Sequence, residues 1–209
     1  MLKQKKILWI AVLVSGGGTN LQALIGARDR GEMPSCELAL VLSSHPDAPA
    51  LERAKKAGIP TEVISWKEYP ETEAYDRALL KKLRAFRIDF VVCAGFLRVL
   101  GKVFLDAYPR RCINVHPSLL PRHGGKGMYG LRTHEAVLAA GETVTGATVH
   151  YVNETIDGGG IISQREVSVL ADDTPETLQK RVMEEAEWKI LPAGAELCCG
   201  KLLAPEDCS

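Results

Sequence analysis

The chain has 209 residues, 26 Lys and Arg against 26 Asp and Glu, and 46% hydrophobic residues. A formal charge of zero gives no field to gather nucleic acid or an anionic membrane surface. A chain of this length buries most of its apolar surface without staples, which suits one domain over residues 1–209.

The opening segment, MLKQKKILWIAVLV, has the basic-then-apolar order of a secretory signal. Its apolar run lasts only eight residues and ends in Ser15-Gly16-Gly17-Gly18 rather than at a cleavage site, so a buried strand over 7–14 is expected. No other apolar run approaches the ~20 residues of a membrane helix. Further strands are expected over 37–42, 61–65, 90–94 and 112–115. Most are apolar at consecutive positions, the pattern of strands covered on both faces. Between them TNLQALIGARDRG, APALERAKKAG and EAYDRALLKKLRAF carry apolar residues at helical spacing, and two of them stop at Gly. This alternation predicts an α/β fold with a Rossmann-like, doubly wound, mostly parallel sheet.

After Pro117 the pattern changes. A Gly-rich loop, RHGGKGMYG, leads into a helix over 131–140, followed by strands over 146–152 and 160–170. The short Gly/Asp loop between these strands makes them antiparallel neighbours. A long helix over 175–199 closes the chain, with Thr174 as N-cap and Pro175 at its first position. Pro192 is expected to kink that helix or divide it in two. The six cysteines, Cys36, Cys93, Cys112, Cys198, Cys199 and Cys208, form no C-x-x-C pair or zinc spacing, which suits reduced thiols in a reducing cytoplasm.

Three features carry chemistry. Ser15-Gly16-Gly17-Gly18-Thr19-Asn20 joins the first strand to the first helix. It reads as a tight turn, or as backbone N–H groups and a helix N-terminus offered to a phosphate at the carboxyl edge of the sheet. The spacing matches neither a dinucleotide fingerprint nor a P-loop. Asn114 and His116, two apart on a strand, share one face, and Pro117 fixes the backbone directly after them. A satisfied polar pair in the core is the plainer reading of these two residues. Asp157, in ETIDGGG, is either a turn former or an acid set against the imidazole to steady its charged form. An amide, an imidazole and a carboxylate in one pocket are equipment for acyl transfer. Ser118 lacks a nucleophile elbow, so direct attack by a substrate amine is expected rather than a covalent enzyme intermediate.

The segments SGGGTNLQAL, AGFLRVL, NVHPSLLP and TIDGGGII, in this order, resemble the glycinamide ribonucleotide formyltransferases of the folate-dependent formyltransferase family. The resemblance covers nearly the whole chain. It implies transfer of the formyl group of 10-formyltetrahydrofolate to the amine of glycinamide ribonucleotide in purine biosynthesis. It also implies a cytoplasmic enzyme with two small-molecule substrates, no nucleic-acid or membrane partner and no metal, as monomer or homodimer. Residues 1–110 would form the ribonucleotide half and 111–209 the catalytic and folate half. By matching motif, Asn114, His116 and Asp157 would be catalytic. Gly16, Gly17, Gly18, Thr19 and Asn20 would hold the phosphate, with Pro117 and Glu187 also on the ribonucleotide. Phe96, Leu97, Arg98, Val99 and Leu100 would line the folate pocket, faced by Asn153, Glu154, Thr155 and Ile156. Glu187 has the plainer reading of a solvated helix face.

Two features depart from the family pattern. The loop RHGGKGMYGLRTH is longer than in many relatives, and an Arg that helps bind phosphate is Thr72 here. Lys126 or Arg122 of the longer loop is the candidate replacement, unless that loop is a solvent-exposed flap. Three other functions use the same residues. A hydrolase would pass the formyl group to water, and a binding module would keep the pocket without turnover. A tRNA formyltransferase would rely on phosphate contacts that the neutral charge disfavours.

Overall fold

The computed structural model describes residues 7–204; residues 1–6, ahead of the first strand, and Cys208 lie outside the described residues. Seven strands form one sheet: β1 Leu8–Val14, β2 Cys36–Ser43, β3 Thr61–Val63, β4 Phe90–Cys93, β5 Cys112–His116, β6 Val144–Tyr151 and β7 Ile161–Ser168. Their order is β3-β2-β1-β4-β5-β6-β7. The first five are parallel, while β6 and β7 add antiparallel. The helices are α1 Thr19–Asp29, α2 Pro49–Lys56, α3 Thr72–Ala85, α4 Lys102–Ala107, α5 Leu131–Ala139, α6 Pro175–Val182 and α7 Trp188–Leu203.

The unbroken apolar strands follow from helices on both faces. Alternate residues of β1 point to opposite layers: Ile10, Val12 and Val14 enter one core, Ala11 and Leu13 the other. The first core is closed by Leu21 and Leu24 of α1 and by Leu191, Ala195 and Cys199 of α7. Tyr75, Leu79 and Leu83 of α3 and Phe104 of α4 close the second. Each buried Leu or Ile contributes roughly 1.5–3 kcal/mol, so the central strands anchor the fold.

The chain runs outward from β1 through β2 to β3 and then returns past β1 to β4. At that reversal the connections leaving β1 and β4 lead to helices on opposite faces of the sheet, and a crevice opens between them, where doubly wound folds place their ligands. The crevice is tied beneath by Ser15 N–H on the Gly95 carbonyl at 3.1 Å and by Leu97 N–H on Ser15 Oγ at 3.0 Å.

Two details differ from the expectations. Helix α4 was not anticipated, because its six residues are too few for periodicity to register. The C-terminal helix is divided, but by a π-helical turn over Met183–Glu187 rather than at Pro192, and α7 runs through the proline. A proline leaves the carbonyl four residues before it without its helical donor. Here that carbonyl belongs to Trp188, the first residue after the wide turn, so the defect falls where the spiral is already open.

Candidate active site

The crevice is a cleft of about 720 Å³. Its lining includes Gly16 to Asn20, Phe96 to Leu100, Asn114, His116, Pro117, Asn153, Thr155, Ile156, Asp157 and Glu187. Of the catalytic, ribonucleotide and folate residues that the resemblance implies, only Glu154, which is exposed, is absent from the lining. An open outer hollow of about 570 Å³, lined by Gln22, Glu52, Arg53 and Lys56, shows no such convergence.

The Gly-rich turn is built by close packing. Gly18 takes φ 73 as the residue before α1, and a Cβ there would lie 2.6 Å from the Ala50 Cβ. The Gly16 carbonyl accepts from Ala50 N–H at 3.1 Å, and the Gly17 carbonyl accepts from Arg53 Nε at 2.9 Å. In a trans peptide the N–H opposes its carbonyl, so tying both carbonyls to α2 turns the next N–H groups away from it. No side chain caps α1, which leaves its first donors for a ligand. At this end lies Glu187, 6% exposed, with Asn20 Nδ2 donating to its Oε2 at 2.5 Å. Burial pushes the Glu187 carboxyl up to about 7, against the pull of that amide. It is not a solvated helix face.

Asn114 and His116 lie on β5, and Asn114 is paired in register with His150 of β6. His150 Nδ1 donates to the Tyr151 carbonyl at 2.9 Å, so its Nε2 accepts from Asn114 Nδ2 at 3.2 Å. That bond fixes the amide and leaves its second N–H for the cleft. His116, 4% exposed, places Nε2 at 2.8 Å from the His123 carbonyl, which only accepts, so Nε2 carries a proton. Nδ1 lies 3.4 Å from Asp157 Oδ2. Burial lowers the imidazole below its ordinary pKa, while the Asp157 charge and the His123 carbonyl oppose that shift. Without substrate the ring therefore favours its neutral form, and it is negative charge developing beside it that favours the second proton.

Asp157 has φ 56, rare for a residue with a Cβ, in a turn completed by glycines. A Cβ at Gly159 would collide with the Tyr151 carbonyl, so the chain can double back this tightly only without a side chain there. Gly125 N–H donates to Asp157 Oδ2 at 2.9 Å, and Oδ1 lies 3.6 Å from His150 Nε2. Burial raises the carboxyl's pKa, but the His150 and His116 rings in their charged forms, together with the Gly125 N–H, outweigh it and hold the group below its ordinary value.

The folate-side candidates form the opposing walls. Leu97 and Val99 are exposed to the cleft, while Arg98 turns inward: Nη2 donates to the Tyr69 and Pro70 carbonyls at 3.0 Å, and the guanidinium lies 4.3 Å from the Tyr75 ring centroid. Thr72 is the first residue of α3, packed near Gly101, and does not line the cleft. Arg122 pairs with Glu142 at 3.2 Å outside the cleft, whereas Lys126 lines it. Ser118 is buried and donates to the Arg122 carbonyl at 2.6 Å, which leaves it unfit as a nucleophile.

Sequence reasoning missed His150, His134 and the His123 carbonyl. His134 is fully buried beside the cleft with neither ring nitrogen bonded, and burial, aided by His116, pushes it down to about 4. Only strand register and loop path reveal these contacts. Among the described residues, no group of three or more His, Cys, Asp and Glu is arranged to hold a metal ion.

A cleft at the switch point of a doubly wound sheet, gathering an amide, an imidazole and a carboxylate, places the chain in the class of α/β proteins that hold ligands beyond the strand ends, with the groups that oxyanion chemistry uses. Comparison with known proteins gives the family. Residues 8–194 match the family described as Formyl transferase, and the chain belongs to it. It is 38% identical over 183 residues to phosphoribosylglycinamide formyltransferase of Haemophilus influenzae, covering 88% of this chain and 83% of that one. It is 45% identical over 194 residues to the trifunctional purine biosynthetic protein adenosine-3 of Drosophila pseudoobscura, covering 92% of this chain and 14% of that protein. With three further such trifunctional proteins, the chain spans only 14–18% of their length. The crystal structure of glycinamide ribonucleotide transformylase 1 from Symbiobacterium toebii superposes with TM-score 0.90 at 38% identity, covering 99% of this chain and 94% of that one.

Proposed function

We propose that this chain transfers the formyl group of 10-formyltetrahydrofolate to the amine of glycinamide ribonucleotide, a step of purine biosynthesis. The observation that carries the reading is the convergence of Asn114, His116 and Asp157 between an uncapped helix N-terminus and two opposed walls. The relatives that match along most of their own length bear the name of this activity.

The ribonucleotide phosphate sits on the N–H groups of Gly16 to Asn20, with Pro117 and Glu187 along the rest of that substrate. The pterin lies between segments 96–100 and 153–156, met largely by backbone groups. The N-terminal half thus supplies the phosphate cradle and one folate wall, and the C-terminal half the catalytic trio and the other wall. The amine nitrogen attacks the formyl carbon, a C–N bond forms, and the carbonyl electron pair moves onto oxygen. Asn114 donates its free N–H to that oxyanion, and protonated His116 supplies the balancing charge beside it. Asp157 steadies the imidazolium and relays the proton from the attacking nitrogen to the departing folate nitrogen as its bond to the formyl carbon breaks. Every step uses a group already in the cleft, and both substrates are small molecules. A cytoplasmic location goes with this reading, and the five described cysteines are buried free thiols. Among the described residues no helix is long and apolar enough to cross a membrane.

The test follows the folate spectrum with 10-formyltetrahydrofolate present, with and without glycinamide ribonucleotide. A change that requires the ribonucleotide is the expected result. Formate release without it would show a hydrolase, and tight binding of both ligands without product would show a binding module.

A further inference from the structure

The proposed substrates carry negative charge into a cleft that already holds Asp157 and Glu187. Among the described residues two cationic side chains other than histidines line it, Arg98 and Lys126. Arg98 is turned back onto the Tyr69 and Pro70 carbonyls and the Tyr75 ring. Among the described residues the Gly-rich turn has no cation of its own on the cleft side. Arg53, bonded to the Gly17 carbonyl and to Gln22, lines the outer hollow instead. Lys126 is exposed on the cleft wall, and among the described residues its ammonium has neither a carboxylate partner nor a hydrogen bond.

The path of the loop sets where that ammonium lies. Immediately before Lys126, the Gly125 N–H is anchored on Asp157 Oδ2 at 2.9 Å, at the reacting centre. Beyond it, Met128 and Tyr129 continue along the wall into α5, which packs on α6. Met183, directly after α6, touches Thr19 of the Gly-rich turn through its sulfur at 3.7 Å. Lys126 and the Gly-rich turn thus line the same cleft, with α5 and α6 between the loop and the Met183–Thr19 contact.

We propose that Lys126 reads the phosphate of the amine substrate: its ammonium pairs with the phosphate monoester seated on the Gly-rich turn, which among the described residues has no cation of its own on the cleft side. A lysine is a compact point charge on a flexible stem, suited to a phosphate approached from across a cleft. The inference rests on the formyl-transfer reading, so wild-type turnover with glycinamide ribonucleotide is measured first. Its absence would remove both.

With turnover established, K126A, K126M and K126R are compared in steady-state kinetics against each substrate. In K126A and K126M the ribonucleotide KM rises on the order of 10–100-fold, the loss expected of one charge-assisted hydrogen bond. The folate KM and kcat stay within about two-fold, and K126R recovers most of the loss. With the dephosphorylated glycinamide riboside, wild type and K126A perform alike, because the group that Lys126 meets is gone. An unchanged ribonucleotide KM overturns the proposal. So does a rise confined to the folate KM, which would put the charge on the glutamyl carboxylate. A K126A loss of equal size on the riboside would show that the loop's shape matters and its charge does not.

Discussion

His116 is held between a carbonyl on Nε2 and a carboxylate near Nδ1, and both neighbours sit on residues in the left-handed region, His123 at φ 52 and Asp157 at φ 56. Such conformations typically cost about 1–3 kcal/mol each and persist where the surroundings enforce them. Strain on both sides of one imidazole points to a pair placed for chemistry. Asp157→Asn keeps the size of the side chain and removes its charge. It should lower kcat about 100–1,000-fold while both KM values move little, because the lost stabilisation arises only as charge develops. Near-normal kcat in the purified variant would remove Asp157 from the mechanism. Glu187 gives a second residue-scale prediction. Its folded pKa of about 7 lies above the ordinary 4.5, so the fold favours the protonated carboxyl. That contribution is intact below the ordinary value, is lost as pH climbs towards 7, and stays lost above it. The loss is of order 3 kcal/mol at most. Urea unfolding should find Glu187→Gln more stable than wild type at pH 8 and nearly equal at pH 4. Parallel pH profiles for the two proteins would mean that the carboxyl is not buried.

At the scale of an element, the start of α6 shows what local sequence specifies and what it leaves out. Thr174 Oγ1 accepts from Thr177 N–H at 3.3 Å, Thr177 Oγ1 accepts from Thr174 N–H at 2.9 Å, and Pro175 occupies the first turn. Thr174 and Pro175 are legible in the sequence because a cap needs only neighbouring residues. The Arg181 guanidinium meets both oxygens of Asp173 at 2.6 Å and holds that carboxyl, 2% exposed, below the carboxylate range. The π-helical turn that follows has no residue signature of its own, yet it turns Glu187 towards Asn20. Thr174→Ala should cost about 1 kcal/mol. In a domain of this size that lowers Tm by roughly 2–4 °C, a shift that calorimetry resolves. An unchanged Tm would mean that the Asp173–Arg181 pair holds the helix start by itself.

For the whole molecule, the strands and most helices were readable because burial on both faces leaves an unmistakable apolar run, as in β1 and β4. Strand order was not readable. The adjacency of β1 and β4 that opens the cleft, and the pairing of Asn114 with His150, are long-range choices made by packing. The candidate site was legible where short motifs place residues in the cleft, at Gly16 to Asn20, Asn114, His116 and Asp157. It was illegible where backbone groups of a distant loop complete it, as His123 and Gly125 do. The Gly-rich turn and the 96–100 wall follow the carboxyl ends of β1 and β4, and the 153–156 wall follows β6 of the same sheet, so on the proposed function each substrate should stabilise the entire fold and not one loop. A ligand that binds only the native state adds RT ln(1 + [L]/Kd), about 2.7 kcal/mol at a hundred-fold excess over Kd. Saturating glycinamide ribonucleotide should therefore raise Tm by roughly 5–10 °C. Asp157→Asn should show the same shift, since in the proposed mechanism its carboxylate acts on the reaction and not on the phosphate. If the variant lost the shift along with turnover, Asp157 would be shaping the cleft for binding. If wild type showed none at concentrations above KM, the Gly-rich turn would not be the seat of the ribonucleotide.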